Sequence, residues 1–391
     1  MNTNFVVCRN KVLIEGVDVG QFESFEYEQN SRTLGSSGVL VLPLYAIGAT
    51  GDTSGVAAAR VRKEFVTSQD KDIASLIKPC AYVEVWCWYD TWDPEKGGMV
   101  SRNKEKMFSG FITTVEEGYP ARIHIQDNAF ILRFGVTSTV FNGEYTVQDV
   151  VEKVIPVAQE AFDKERESYD LTYSIPKLTY TTEKQNVQAF TTPIQFANFG
   201  DQSPFNIIRR IMQVNCLYGG VDEDFNVFVG SGVEKSNRPL FELSTAVNVI
   251  ERHIVPVDGR FVDYDVKIVG ILKNGRKYTA TAGLSTSKSV QKKSELEKKY
   301  AQSFKAYSPL KTVEELNAFA DTMLANLRGT RNKGRITCLL YPRMRVMDWV
   351  TYTDTVFENL SSGLYVLGYR FIANSSGYFQ HLEVSDQVFM L

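Results

Sequence analysis

Residues 312–385 constrain the fold more tightly than any other segment, because they specify both ends of a helix and then change period. Thr312 and Glu315 have the spacing of a capping box, which satisfies amides that the first turn leaves unpaired. Leu316, Phe319, Ala320, Met323, Leu324 and Leu327 follow at helical steps on one face, and Gly329 is a residue suited to ending the helix. Beyond Gly334 the period is two: Met344, Val346, Val350 and Tyr352 point one way, and Arg343, Arg345, Thr351 and Thr353 the other. Two further strands, 364–372 and 378–385, flank the polar turn 374–377, with Leu382 and Val384 expected inward and His381, Glu383 and Ser385 outward.

The first 135 residues are also strand-rich. Segments 39–44, 82–89, 107–116 and 122–127 are short runs of β-branched and aromatic residues between polar turns. In the second, Val83, Val85, Cys87 and Tyr89 share one face and Tyr82, Glu84, Trp86 and Trp88 the other. Both faces are largely apolar, which predicts cover on both sides, as in a closed barrel packed against a neighbouring chain. A long connection, 45–79, and a second exposed loop around Trp92, Asp93, Pro94, Gly97 and Gly98 interrupt these strands.

The middle of the chain reads as a small α/β module. Thr146 caps a helix whose stripe is Val147, Val150, Val151, Val154, Ile155 and Ala158, with Pro156 expected to kink or divide it. Ser203 caps a second helix, Pro204 takes its first position, Phe205, Ile208, Ile211 and Met212 line its face, and Gly219 and Gly220 are expected to stop it before a strand at 225–229. A second β region begins near Val249, where segments 262–272 and 276–282 flank Asn274 and Gly275, a strong hairpin signal. The expected class is α+β: two antiparallel β-barrels, 1–135 and 249–391, an α/β insert at 136–248 between them, and a helical insertion at about 285–330 in the second.

Composition narrows the function classes. The 391 residues are 43% hydrophobic and 23% charged, as in an ordinary folded protein. No apolar run approaches the roughly 20 residues that span a bilayer, and residues 1–9 lack a signal-peptide layout, so no membrane insertion and assembly in a cytosol are expected. Cys8, Cys80, Cys87, Cys216 and Cys338 form no CxxC pair, which points to reduced core thiols rather than zinc or disulfides. A formal charge of −3 gives no footprint for tight nucleic-acid binding, and the one basic run, 288–299, is broken by Glu295 and Glu297 and reads as a solvated helix or linker.

No catalytic constellation can be named. His124, His253 and His381 are far apart, and no HExxH, GxSxG, P-loop or GxGxxG stands between a strand and a helix. The paired acids Glu116–Glu117 and Asp222–Asp224 fall in expected turns. The expectation is no enzyme, no cofactor and no metal.

The helix opening Thr146-Val147-Gln148-Asp149-Val150-Val151, the run from Ser203 to Ile211 leading through Gly219 and Gly220 to Phe225-Asn226-Val227-Phe228, and the closing Tyr341-Pro342-Arg343-Met344-Arg345-Val346-Met347-Asp348-Trp349-Val350 together resemble the central baseplate hub proteins of contractile-tailed phages. That family includes the late control protein D group and the amino-terminal part of VgrG. Members often carry glycine at the place of Met347 and histidine near that of Phe371. The resemblance implies a virion homotrimer whose barrels are tail-tube-like, place six such units round a channel, and join a sixfold tail tube to a threefold central spike. DNA passes without specific binding, and a tape measure and surrounding baseplate proteins are further partners. Tyr45, Phe65 and Ile73 would then help to dock the tube, and Trp86, Trp88, Phe389, Met390 and Leu391 would line a subunit or spike interface. Rival readings are the hub of a non-contractile tail, the hub of an injection device, and a carbohydrate-binding protein using Trp86, Trp88 and Trp92 as a platform.

Overall fold

The change of period near Gly334 marks a boundary between a helix-covered unit and a large sheet. The structure, a computed structural model, describes residues 6–31, 33–43, 73–93, 95, 98–116, 120–140, 145–182, 187–189, 198–215, 217–233, 241–256, 264–272, 274–283, 302–308, 312–329, 332–339, 344–357 and 362–386. The fold is mostly antiparallel β-sheet with few helices. None of the described helices is long and apolar enough to cross a membrane.

Strands from both ends of the chain build one 13-stranded sheet. The amino-terminal part supplies β1 (Val6–Ile14), β2 (Val17–Gly20), β3 (Ser24–Asn30), β4 (Ser37–Leu42), β5 (Tyr82–Asp93), β6 (Gly98–Glu116) and β7 (Ala121–Asp127), with a short helix α1 (Ile73–Leu76) before β5. The carboxy-terminal part supplies β14 (Phe241–Ser244), β15 (Val249–Pro256), β19 (Asn332–Leu339), β20 (Trp349–Thr353), β21 (Ser362–Asn374) and β22 (Gly377–Ser385). Their order is β15-β19-β22-β21-β3-β4-β7-β6-β5-β1-β2, with β20 on β21 and β14 on β20. Among the described residues this path does not close on itself.

The two parts join where β3 pairs with β21, Tyr27 opposite Phe371. Aromatic packing holds that seam: Phe25 lies 5.4 Å from Phe371, and Tyr27 lies 5.0 Å from Phe108 and 5.9 Å from Tyr369. Such ring pairs contribute about 0.5–1.5 kcal/mol each beyond the area they bury. Val83, Val85 and Cys87 point into the same core, as their alternation predicts. The loop expected after Tyr89 is instead the tip of a long hairpin, since pairing runs on to Asp93 opposite Gly98. In β22 Leu382 and Val384 are buried as expected, but so is Ser385, which pairs with Tyr365 and Lys333 on its two sides and so has sheet around it.

A second core forms around α2 (Val147–Ser168) and α3 (Pro204–Asn215), with β12 (Tyr218–Val221) and β13 (Asn226–Val233). The small strands β8 (Thr137–Val140), β9 (Thr179–Tyr180), β10 (Val187–Ala189) and β11 (Asn198–Gln202) complete it. Thr146 and Asp149 cap α2 reciprocally. Pro156 neither divides nor ends α2, because burial of Val150, Val154, Ala158 and Phe162 on both sides of it outweighs one lost backbone bond. Gly219 and Gly220 do not stop α3, which ends at Asn215; they lie inside β12. A Cβ on Gly219 would sit 2.8 Å from Met212 Sδ and 2.8 Å from the Phe228 carbonyl oxygen, so close approach rather than chain reversal explains that glycine.

The third unit corrects a further expectation. The hairpin β16 (Tyr264–Ile271) and β17 (Lys277–Gly283) forms at Asn274 and Gly275, and Gly275 has φ +78°. It does not open the sheet of residues 335–385. It pairs instead with β18 (Gln302–Tyr307) in a separate three-stranded sheet covered by α4 (Val313–Gly329). The helix stripe needs an apolar partner, and Val266, Ile268, Ala280 and Ala282 supply it against Leu316, Ala320 and Met323.

Candidate functional site

The outer face of the β5–β6 hairpin carries the tryptophans singled out in the sequence. Glu84 organises them: its carboxylate accepts from Trp86 Nε1 at 3.1 Å and Tyr82 Oη at 3.2 Å, and Lys106 Nζ lies 3.4 Å away. The Lys104 ammonium sits 5.1 Å from the Trp88 ring centroid and 6.0 Å from that of Trp86. Both indoles are half-buried, with the one ammonium lying over both rings. At the far end of the face, hydrogen bonds from Ser101 and Arg9 hold the Asp90 carboxyl below the usual carboxylate range. The result is a surface of aromatic side chains and paired charged groups.

The second feature is a cavity of about 160 Å³ between the large sheet and the α2–α3 unit, lined by Tyr27, Phe108, Tyr218, Phe228, Arg345 and Tyr369 among others. Arg345, expected outward from its alternation, is turned inward. Its Nε donates to Glu223 Oε1 at 2.6 Å, Nη1 to the Met344 carbonyl at 3.1 Å and Nη2 to the Lys106 carbonyl at 3.2 Å. One guanidinium thereby ties the α2–α3 unit, β6 and the approach to β20 together. Two residues on, Met347 has φ +74°, the left-handed backbone that glycine adopts without strain. Beside the cavity, burial pushes the Asp127 carboxyl up to about 7, while its oxygens accept from the amides of Ser36 at 2.8 Å and Ala129 at 3.1 Å. Burial also raises the Tyr27 and Tyr369 hydroxyls.

The remaining candidates are placed as follows. Tyr45, Phe65, Phe389, Met390 and Leu391 lie outside the described residues, as do Cys216 and the basic run 288–299; Ile73 begins α1, and of its side chain, like that of Trp92, nothing is described. Cys80, Cys87 and Cys338 are buried and Cys8 half-buried, all as free thiols, and burial pushes Cys80 and Cys338 up to about 12. His253 and His381 are exposed; His124 Nε2 is 2.6 Å from Glu116 Oε1, and His381 Nδ1 is 3.0 Å from Thr337 Oγ1 on the outer sheet face. Asp222 serves its turn as expected, accepting from the amides of Asp224 and Asn226. Among the described residues no group of three or more His, Cys, Asp or Glu side chains could hold a metal ion. Sequence reasoning missed the inward turn of Arg345, the burial of Asp127 and the buried pair Glu15–Arg166. Each involves a partner 91 to 239 positions away, which leaves no local pattern.

No protein-family model matches the sequence, and no curated protein matches it. The fold does have solved counterparts. A tail protein from Neisseria meningitidis MC58 superposes with a TM-score of 0.57 at 13% identity, covering 97% of this chain and 96% of that one. The 43 kDa tail protein of prophage MuSo2 from Shewanella oneidensis gives 0.52 at 13% identity, covering 96% and 95%. A PdpA–VgrG complex, in its lidless form, gives 0.50 at 10% identity over 98% of this chain and 65% of that one. The chain has the fold of these tail proteins and of a subunit of that complex.

Proposed function

We propose that this chain is a structural hub of a phage tail baseplate. Three copies form a ring in which two tube-like β halves per chain place six units round the DNA channel, matching a sixfold tail tube on one side and a threefold spike on the other. It is assembled in the host cytoplasm, carried in the virion and has no catalytic role. The observation that carries this reading is the end-to-end correspondence with tail proteins, 97% of this chain on 96% of its counterpart. The left-handed backbone at Met347, where hub proteins often have glycine, supports it at one residue. Likeness to a VgrG complex makes the hub of an injection device the second reading.

Light scattering of the purified protein, alone and mixed with tube and spike proteins encoded beside it, tests the proposal. A trimer, or a monomer that trimerises on adding the spike, is expected; a monomer indifferent to both would remove the hub reading. Deleting residues 51–71, within the long connection that carries Phe65, is expected to leave the trimer intact and abolish nucleation of the tube. A deletion variant that still seeds tube assembly would end the docking role of that connection.

A further inference from the structure

The three-stranded sheet of β16, β17 and β18 has one face under α4 and an opposite, open face on which, among the described residues, Ile271, Lys277, Lys305 and Tyr307 are exposed and Val269 is buried. Register defines the open face. Lys267 stands directly opposite Lys305 across the parallel pair, Val269 opposite Tyr307, and Ile271 opposite Lys277 across the hairpin. Ile271 and Tyr307 are each 63% exposed, the largest exposures of apolar side chains among the described residues of this unit. The Lys305 ammonium lies 5.5 Å from the Tyr307 ring centroid, and Lys267 is shared with Asp265 at 3.1 Å. Lys277 and Arg276 are exposed at the hairpin end.

Two like charges at directly opposed sheet positions oppose folding, and a single Asp265 offsets only one of them. Among the described residues of these three strands and their hairpin, Lys267, Arg276, Lys277 and Lys305 stand against Asp265 alone, in a chain of formal charge −3. Such an arrangement is stabilised when an anion lies across it. Exposed Ile271 and Tyr307 add an apolar demand that a phosphate backbone does not meet and an acidic protein surface carrying aromatic or aliphatic side chains does.

We propose that the open face of β16–β18, centred on Lys267, Lys305 and Tyr307 with Ile271 and Lys277 beside them, docks an acidic, aromatic-bearing protein segment. This surface is separate from the tryptophan face of β5–β6 and does not depend on the hub reading. Acidic side chains would sit between Lys267 and Lys305, and an apolar one would cover Ile271 and Tyr307.

The test uses the full chain and two labelled probes, a random glutamate–tyrosine copolymer and a single-stranded oligothymidine, with binding read by fluorescence anisotropy at low and moderate salt. The copolymer is expected to bind more tightly than the oligothymidine, with affinity falling as salt rises. Lys305→Glu and the double variant Lys267→Glu/Lys305→Glu are expected to weaken copolymer binding by roughly tenfold or more. Lys164→Glu, an exposed change on α2, is expected to leave it unchanged. Thermal unfolding supplies a readout independent of any probe: Lys305→Glu replaces a like-charge pair by an opposite one and is expected to raise the melting temperature. Failure of the copolymer to bind at low salt, equal loss with Lys164→Glu, tighter binding of oligothymidine, or a lowered melting temperature in Lys305→Glu would each overturn the proposal.

Discussion

Replacing Arg166 with alanine is expected to cost about 3–5 kcal/mol of unfolding free energy, the range seen when one partner of a buried ion pair is removed. Arg166 lies in the last turn of α2 and reaches into the large sheet. Its Nη1 donates to Glu15 Oε1 at 3.1 Å and to the Cys80 carbonyl at 2.7 Å; its Nη2 donates to Glu15 Oε2 at 3.0 Å and to the Tyr173 carbonyl at 2.9 Å. Both side chains are only 5% exposed. Glu15 also accepts from the Tyr82 amide at 2.6 Å, and it sits at φ +51°, a strained position for a residue with a Cβ. Alanine would therefore strand a buried carboxylate and two carbonyls at once. Urea unfolding of the parent, Arg166→Ala and Glu15→Gln/Arg166→Met separates the causes. The double variant should recover much of the loss, because its buried charges disappear together. A loss under about 1 kcal/mol for Arg166→Ala, the scale of an exposed pair, would show that this contact does not anchor α2 to the sheet.

That anchor also explains which parts of the fold were legible in the sequence. Helix α4, the N-cap Thr146 of α2 and the hairpins at Asn274–Gly275 and 374–377 rest on contacts between near neighbours, so periodicity and turn chemistry expose them. Pairing of Tyr27 with Phe371 is not of that kind. It joins positions more than three hundred residues apart, and alternation alone cannot say which strand lies beside which. The hairpin of β16 and β17 is legible as a hairpin, but the sheet it joins is not, for the same reason. Arg345 reads as an outward strand residue from its alternation, but the strand begins only at Trp349, and in the turn before it the guanidinium reaches Glu223 and the Lys106 carbonyl across the cavity. The tryptophan face was legible as residues, while the Glu84 and Lys104 contacts that fix it required the third dimension.

Stability is expected to depend on pH in an unusual direction at the same junction. Desolvation raises the Asp127 carboxyl from its ordinary 3.8 to about 7, outweighing the hydrogen bonds from Ser36 and Ala129 that favour its charged form. Between those two values the folded chain holds a proton that the unfolded chain has released. Folding is thus helped by this group at low pH, and the help is lost as pH rises through the folded value. At about 1.4 kcal/mol per unit, the loss between pH 5 and pH 8 is about 3 kcal/mol. Other carboxylates, Asp354 and Asp90 among them, are shifted down and act in the opposite sense below pH 4, so the parent's curve alone does not isolate Asp127. Asp127→Asn does, because the amide stays neutral throughout. It keeps one acceptor but sets an NH2 against the second backbone amide, a cost of about 1–3 kcal/mol that does not vary with pH. The variant should therefore be less stable than the parent at pH 5 and should gain on it by about 3 kcal/mol at pH 8. Urea midpoints for both proteins at the two pH values measure that gap. An unchanged gap would mean that Asp127 titrates like a solvated carboxylate, and that water reaches it through the cavity beside Tyr27 and Arg345.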